Sequence, residues 1–180
     1  NLIAKNFKYF NSNKFPVNNL SCSDNNLDSS DQTVIVPAIL DDLPQLIQLL
    51  MELFEMEGDF EPNSKKQEEG LRLILEHPNR GRILVIKNES KIIGMVNMLF
   101  TISTAEGGSV LILEDFIIHP MNRGQGYGKQ LLMAVKEFAQ LKDFKRITLL
   151  TDKISAESQN FFNKEGFQFS KMIPMRLHLN

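Results

Sequence analysis

The stretch Leu111-Ile112-Leu113-Glu114-Asp115-Phe116-Ile117-Ile118-His119-Pro120-Met121-Asn122-Arg123-Gly124-Gln125-Gly126-Tyr127-Gly128-Lys129 decides the reading of this chain. Its first half is β-branched and apolar apart from Glu114 and Asp115, the pattern of a central strand covered on both faces. Pro120 ends that run, glycines follow at alternate positions, and Gln130-Leu131-Leu132-Met133-Ala134-Val135 then carries a helical pattern. The unit is strand, loop, helix. The first turn of a helix leaves N–H groups unpaired at the positive end of its dipole, and an anion fits there. Gly124, Gly126 and Gly128 allow positive φ and let an oxygen-rich ligand approach the main chain closely.

Two common phosphate loops fail on spacing. A P-loop requires glycine where Arg123 stands and a hydroxyl residue where Gln130 stands, and the dinucleotide fingerprint requires G-x-G-x-x-G where this chain has G-x-G-x-G. The pattern Arg123-x-x-Gly126-x-Gly128, placed after a strand bearing Leu113-Glu114-Asp115-Phe116, resembles the acyl-CoA-binding motif of the GNAT superfamily of CoA-dependent N-acyltransferases. The resemblance implies that the loop of Arg123, Gly124, Gln125, Gly126, Tyr127, Gly128 and Lys129 holds the CoA pyrophosphate on its amides, with Arg123 either contacting a phosphate through its guanidinium or standing as a surface charge whose backbone N–H matters. It also implies that backbone groups of Phe116, Ile117 and Ile118 meet the pantetheine arm.

The flanking elements extend the resemblance over residues 33–180. Thr33–Val36 reads as a strand, and Leu43, Leu46, Ile47, Leu50, Leu53 and Phe54 mark a first helix running to about Gly58. Ser64 is a plausible N-cap for a second helix that runs to His77-Pro78. Residues 82–87 and 91–101 form an antiparallel hairpin, with Gly94 marking a bulge or a close backbone contact. After the glycine loop come a helix to about Lys142, a parallel strand from Arg146 to Thr151, a helix from Ser155 to Glu165 ending at Gly166, and a strand from Phe167 to Leu179 interrupted by Pro174. The expected fold class is α/β: a GNAT fold with a central mixed, mostly antiparallel sheet and helices on both faces.

With 42% hydrophobic and 23% charged residues, 180 residues suit one globular domain, preceded by an Asn-rich arm or linker over residues 1–32. A net charge of -2 disfavours nucleic acid and acidic membrane as partners. The lone Cys22 cannot close an internal disulfide, and the first twenty residues lack an apolar leader core, so a soluble cytoplasmic protein is expected. The resemblance also implies a possible homodimer. His77, His119 and His178 lack metal-ligand spacing, so no metal is expected, and His119 reads as a loop residue.

Acetyl transfer from a thioester to an amine needs a neutral amine, a polarised carbonyl and a proton for the departing thiolate. Glu114 is the candidate base, because a carboxylate on an apolar central strand is costly to bury unless paired or used, and it resembles the strand glutamate of several GNAT enzymes. Strand alternation would send Asp115 to the opposite face unless a bulge intervenes. The oxyanion donor is expected among the main-chain N–H groups of Ile117 and Ile118. The position where GNAT enzymes often carry an acidic tyrosine, four residues before Gly166-Phe167, holds Phe162, and Ser155 replaces a frequent asparagine. Ser158 or water is then the expected proton donor, with Tyr127 assigned to packing or adenine-side contact.

The expected activity is N-acetylation of a primary amine of a small molecule or peptide, with acetyl-CoA as cosubstrate. The alternative is a non-catalytic acyl-CoA-binding sensor or interaction domain. Glu57, Phe60 and Glu61 could face a cationic amine, and the acceptor's identity is left open.

Overall fold

The structure is a computed structural model that describes residues 33–56, 63–151 and 155–179; the N-terminal arm, Cys22, Glu57, Phe60 and Glu61 lie outside these residues. The chain divides into two compact units, Asn1–Leu149 and Leu150–Asn180, each described by itself.

The first unit holds a five-stranded sheet in the order β1-β2-β3-β4-β5. The strands are β1 (Thr33–Pro37), β2 (Gly81–Asn88), β3 (Lys91–Ser103), β4 (Gly108–Ile118) and β5 (Ile147–Leu149). β1 to β4 pair antiparallel, and β5 pairs parallel with β4 after the crossover through α3 (Tyr127–Leu141). The helices α1 (Leu43–Met56) and α2 (Ser64–Glu76) fill the connection between β1 and β2.

Alternation along the strands divides the core. Ile83, Val85, Met95 and Ile117 join Leu43, Leu46, Leu49, Leu50, Leu53 and Leu71 in one buried cluster, which is the face covered by α1 and α2. Phe100 points the other way, and its ring stacks on Phe138 of α3 with centroids 5.8 Å apart, so α3 covers the opposite face. Two covered faces explain why β3 and β4 read as nearly unbroken apolar runs. Burial at one edge also pushes the Arg82 guanidinium of β2 below its ordinary value.

Local chemistry sets the element ends. Asp42, in a 3-10 turn before α1, accepts from the Ile39 N–H at 3.0 Å and holds Lys87 of β2 at 2.7 Å, tying the helix start to the sheet. Asn63, not Ser64, caps α2: its side chain accepts from Lys66 N–H, and Gln67 Oε1 accepts from Asn63 N–H, a reciprocal cap that Ser64 would have placed one residue late. Gly94 answers both expectations at its position. The β2–β3 register shifts beside it, and an added Cβ would lie 3.0 Å from the Ile117 carbonyl oxygen.

In the second unit, α4 (Ala156–Lys164) is capped by Ser155, and Gly166 takes φ 94° as the residue that ends the helix. The strand expected over residues 167–179 does not form: those residues carry no ladder, and Met175, Leu177 and Leu179 are 95%, 85% and 88% exposed. Alternating apolar residues make a strand only beside a free edge, and Pro174 removes one donor from any such ladder. Among the described residues no helix is long and apolar enough to cross a membrane.

Candidate active site

β4 is paired on both edges only part of the way. Its ladder with β5 covers Leu111 to Leu113 and ends there, where β5 itself ends at Leu149. On the other edge a bulge interrupts the β3 ladder: Met95 pairs with Ile117, yet Asn97 pairs with Glu114. The extra β4 residue lies at Asp115–Phe116, and Asp115 takes φ 50°, in the left-handed region. An L-residue there costs about 1 kcal/mol, least for Asp and Asn.

The bulge corrects the expectation for the two carboxylates. Asn97 and Glu114 face the α1 side as cross-strand partners, and the Asp115 carboxylate turns to Asn97, whose Nδ2 donates to Asp115 Oδ2 at 2.5 Å. Glu114 and Asp115 therefore serve the same face. Glu114 itself is exposed, so the argument from a costly buried carboxylate does not hold for it; it stands where water can reach it.

Asn97 is the residue the sequence reading missed. It is 3% exposed, and its Oδ1 is buried without a hydrogen-bond partner among the described residues. Such an orphaned acceptor costs about 1–3 kcal/mol. The signal was one amide inside the apolar run Ile92-Ile93-Gly94-Met95-Val96-Asn97-Met98-Leu99.

At the far end of β4, His119 is more than a loop residue. Its N–H donates to the Ile93 carbonyl at 2.9 Å and its Nδ1 accepts from Met121 N–H at 3.3 Å, so in the neutral ring the proton sits on Nε2. That nitrogen lies 3.6 Å from Glu52 Oε1 of α1, and Glu52 Oε2 is buried without a partner among the described residues.

Two of the three glycines take the positive φ that the sequence allows, whereas Gly128 lies inside α3 without it. Gly124 and Gly126 take φ 75° and 85°, and Gly126 caps α3 without a side-chain hydrogen bond. The first backbone bond of the helix runs from Gln130 N–H to the Gly126 carbonyl at 3.1 Å, which leaves the amides of Tyr127, Gly128 and Lys129 at the start of the dipole without helical partners. A Cβ added at Gly124 or Gly126 meets nothing within 4 Å, so the loop is open to a ligand on that side. These residues fit an anionic pyrophosphate.

Arg123 Nε donates to the Ile118 carbonyl at 2.9 Å, fastening the loop to the end of β4. Lys129 is exposed in the first turn of α3, and Tyr127 is half-buried at its start. Phe116 is half-buried, whereas Ile117 and Ile118 are buried, so the last two offer only main-chain groups. In the second unit, Ser155 Oγ donates to Ser158 Oγ at 2.9 Å and accepts from Ser158 N–H at 3.2 Å, which sets Ser158 in a helix cap. Phe162 packs edge-on to Phe161 and Phe167, with centroids 5.0 and 5.7 Å apart. Among the described residues no three His, Cys, Asp or Glu side chains converge on a metal-sized site.

Solved structures share this fold. A possible acetyltransferase from Clostridium difficile 630 is 14% identical with a TM-score of 0.75, over 82% of this chain and 98% of its own. An aminoglycoside acetyltransferase from an uncultured soil metagenomic sample, in complex with sisomicin, is 24% identical with a TM-score of 0.68, over 82% and 97%. The aminoglycoside N-acetyltransferase AAC(6')-Iy in complex with CoA is 17% identical with a TM-score of 0.71, over 85% and 99%. No curated protein matches the sequence. A model of the acetyltransferase (GNAT) family matches residues 43–167, well over half of the 180, and the chain belongs to that family.

Proposed function

We propose that this chain is an acetyl-CoA-dependent N-acetyltransferase acting on a primary amine of a small molecule or peptide. The observation that carries the proposal is the glycine turn after β4, which leaves the amides at the start of α3 without helical partners. The pantetheine arm runs along β4 beyond Leu113, where the β5 ladder ends, with its pyrophosphate on the amides of Gln125 to Lys129. Two solved structures of the same fold are of aminoglycoside acetyltransferases, which supports an amine acceptor.

Bound acetyl-CoA would supply the activated acetyl group. Glu114, exposed on the α1 side, takes one proton from the acceptor ammonium and passes it to water. The neutral nitrogen forms the new C–N bond, the thioester C–S bond breaks, and the thiolate takes the second nitrogen proton through water. Main-chain N–H groups of Ile117 or Ile118 are the proposed oxyanion donors. The alternative, an acyl-CoA-binding sensor without turnover, draws on Phe162, whose packed ring has no proton to give.

A cytoplasmic homodimer completes the proposal, supported by the lone cysteine and by the exposed apolar residues Ile173, Met175, Leu177 and Leu179. Light scattering at micromolar concentration checks it, and a monomeric mass counts against it. The activity is tested by mixing the full chain with acetyl-CoA and a panel of polyamines, aminoglycosides and peptide amines. Free CoA thiol should appear in step with acetylated amine. Thiol release no faster than hydrolysis with every acceptor, alongside measurable CoA binding, would establish the sensor instead.

A further inference from the structure

The amide of Asn97 asks for a partner that the described residues do not supply. Its Nδ2 is committed to Asp115 Oδ2 at 2.5 Å, its Oδ1 is buried and unpartnered, and the side chain is only 3% exposed. Around it the carboxylates of Asp115 and Glu114 serve the same face of the sheet, just past the last β4 residue that pairs with β5. An orphaned acceptor beside a carboxylate suits an occupant that is rich in donors and positively charged.

From this arrangement we infer that Asn97 and Asp115 form the acceptor-amine subsite, which receives a primary ammonium group before transfer. The inference rests on the amine-acetyltransferase reading and names the side chains that bind the amine. One N–H of the ammonium donates to Asn97 Oδ1 and a second to the Asp115 carboxylate. The bond from Asn97 Nδ2 fixes the Asp115 carboxylate in place, and the bulge brings it to the face of Glu114. The two acids then divide the work: Asp115, partly buried, binds the charge, and Glu114, exposed, carries the departing proton to water. A metal ion is a poorer occupant, because no three ligating side chains converge there among the described residues.

Asp115→Asn is the informative variant. It keeps the shape and a residue type that tolerates φ 50°, so the bulge survives while the charge is lost. Asn97→Leu removes the orphaned acceptor at similar volume, with folding checked by thermal melting. With spermidine, sisomicin and a lysine-bearing peptide as acceptors, both variants should raise the KM for the amine about 10- to 100-fold, the scale of a charge-assisted hydrogen bond. The KM for acetyl-CoA should stay within about twofold and kcat at saturating amine within about threefold. An unchanged amine KM in folded Asp115→Asn would overturn the inference. So would a fall in kcat together with a raised acetyl-CoA KM, the mark of a purely structural residue.

A second readout separates this inference from the acetyltransferase reading. In the wild-type chain, the side-chain NH2 resonances of Asn97 should shift on titration with the same three amines. A shift without turnover keeps the subsite and discards the enzyme. Turnover without a shift discards the subsite and leaves a bound water as the partner of Oδ1.

Discussion

Replacing Gly94 with alanine tests whether the close approach of β3 to β4 holds the strand on which the proposed chemistry depends. An added Cβ would fall on Ile118 Cδ1, 2.9 Å from Ile86 Cγ2 and 3.0 Å from the Ile117 carbonyl oxygen. Overpacking of this kind costs about 1–3 kcal/mol. The φ at Gly94 is not positive, so alanine recovers about 0.4–1 kcal/mol by restricting the unfolded chain. The net loss is at most about 2.6 kcal/mol, a fall in Tm of up to about 10 °C for a chain of this size. Ile118→Val removes the most crowded atom and costs about 0.5–1.5 kcal/mol alone. The double variant should therefore lose less than the sum, with a coupling of about 1 kcal/mol, read by thermal and urea melts. Because the contact lies at Ile117 and Ile118, the single variant should also raise the KM for acetyl-CoA, and the double should restore it. Strictly additive costs with an unchanged acetyl-CoA KM would refute the reasoning.

Gly126→Val puts a β-branched residue at φ 85° and a side chain on the open side of the loop, so CoA affinity by calorimetry should fall about tenfold or more while the fold persists. Glu114→Gln should lower kcat and remove the acidic limb of the pH–rate profile, whereas Tyr127→Phe should leave kcat nearly unchanged; a large loss in the Tyr127 variant with CoA binding retained would identify the wrong proton donor. Asp42→Ala removes both the cap on Ile39 N–H and the ion pair to Lys87, and should cost about 2–4 kcal/mol in a denaturant melt, against less than 1 kcal/mol if the pair is only a surface contact.

The sequence was most legible where one local rule governs. The change from a β-branched run to helical spacing, with glycines between, located β4, the anion loop and α3, because glycine and proline act over a few residues. The crossover rule placed β5 parallel to β4. The geometry of the two carboxylates was not legible, since alternation presumes a regular strand and the bulge at Asp115 depends on the register with β3. Arg123 has a phosphate-binder's chemistry, and only the fold shows its Nε spent on the Ile118 carbonyl. The expected strand over 167–179 failed for a related reason: period-two apolar residues report a preference for an edge, not the presence of one.

The short ladder between β4 and β5, with the acyl donor proposed to dock beyond it, would make the stability of this fold depend on what is dissolved around it. A ligand that docks along β4 beyond Leu113 binds the native state and not the unfolded one. At a hundred times its dissociation constant such a ligand adds about 2.7 kcal/mol to the unfolding free energy. The melting temperature would then report the concentration of the acyl donor, and slowed amide exchange from Glu114 to Ile118 would mark the strand on which the donor docks.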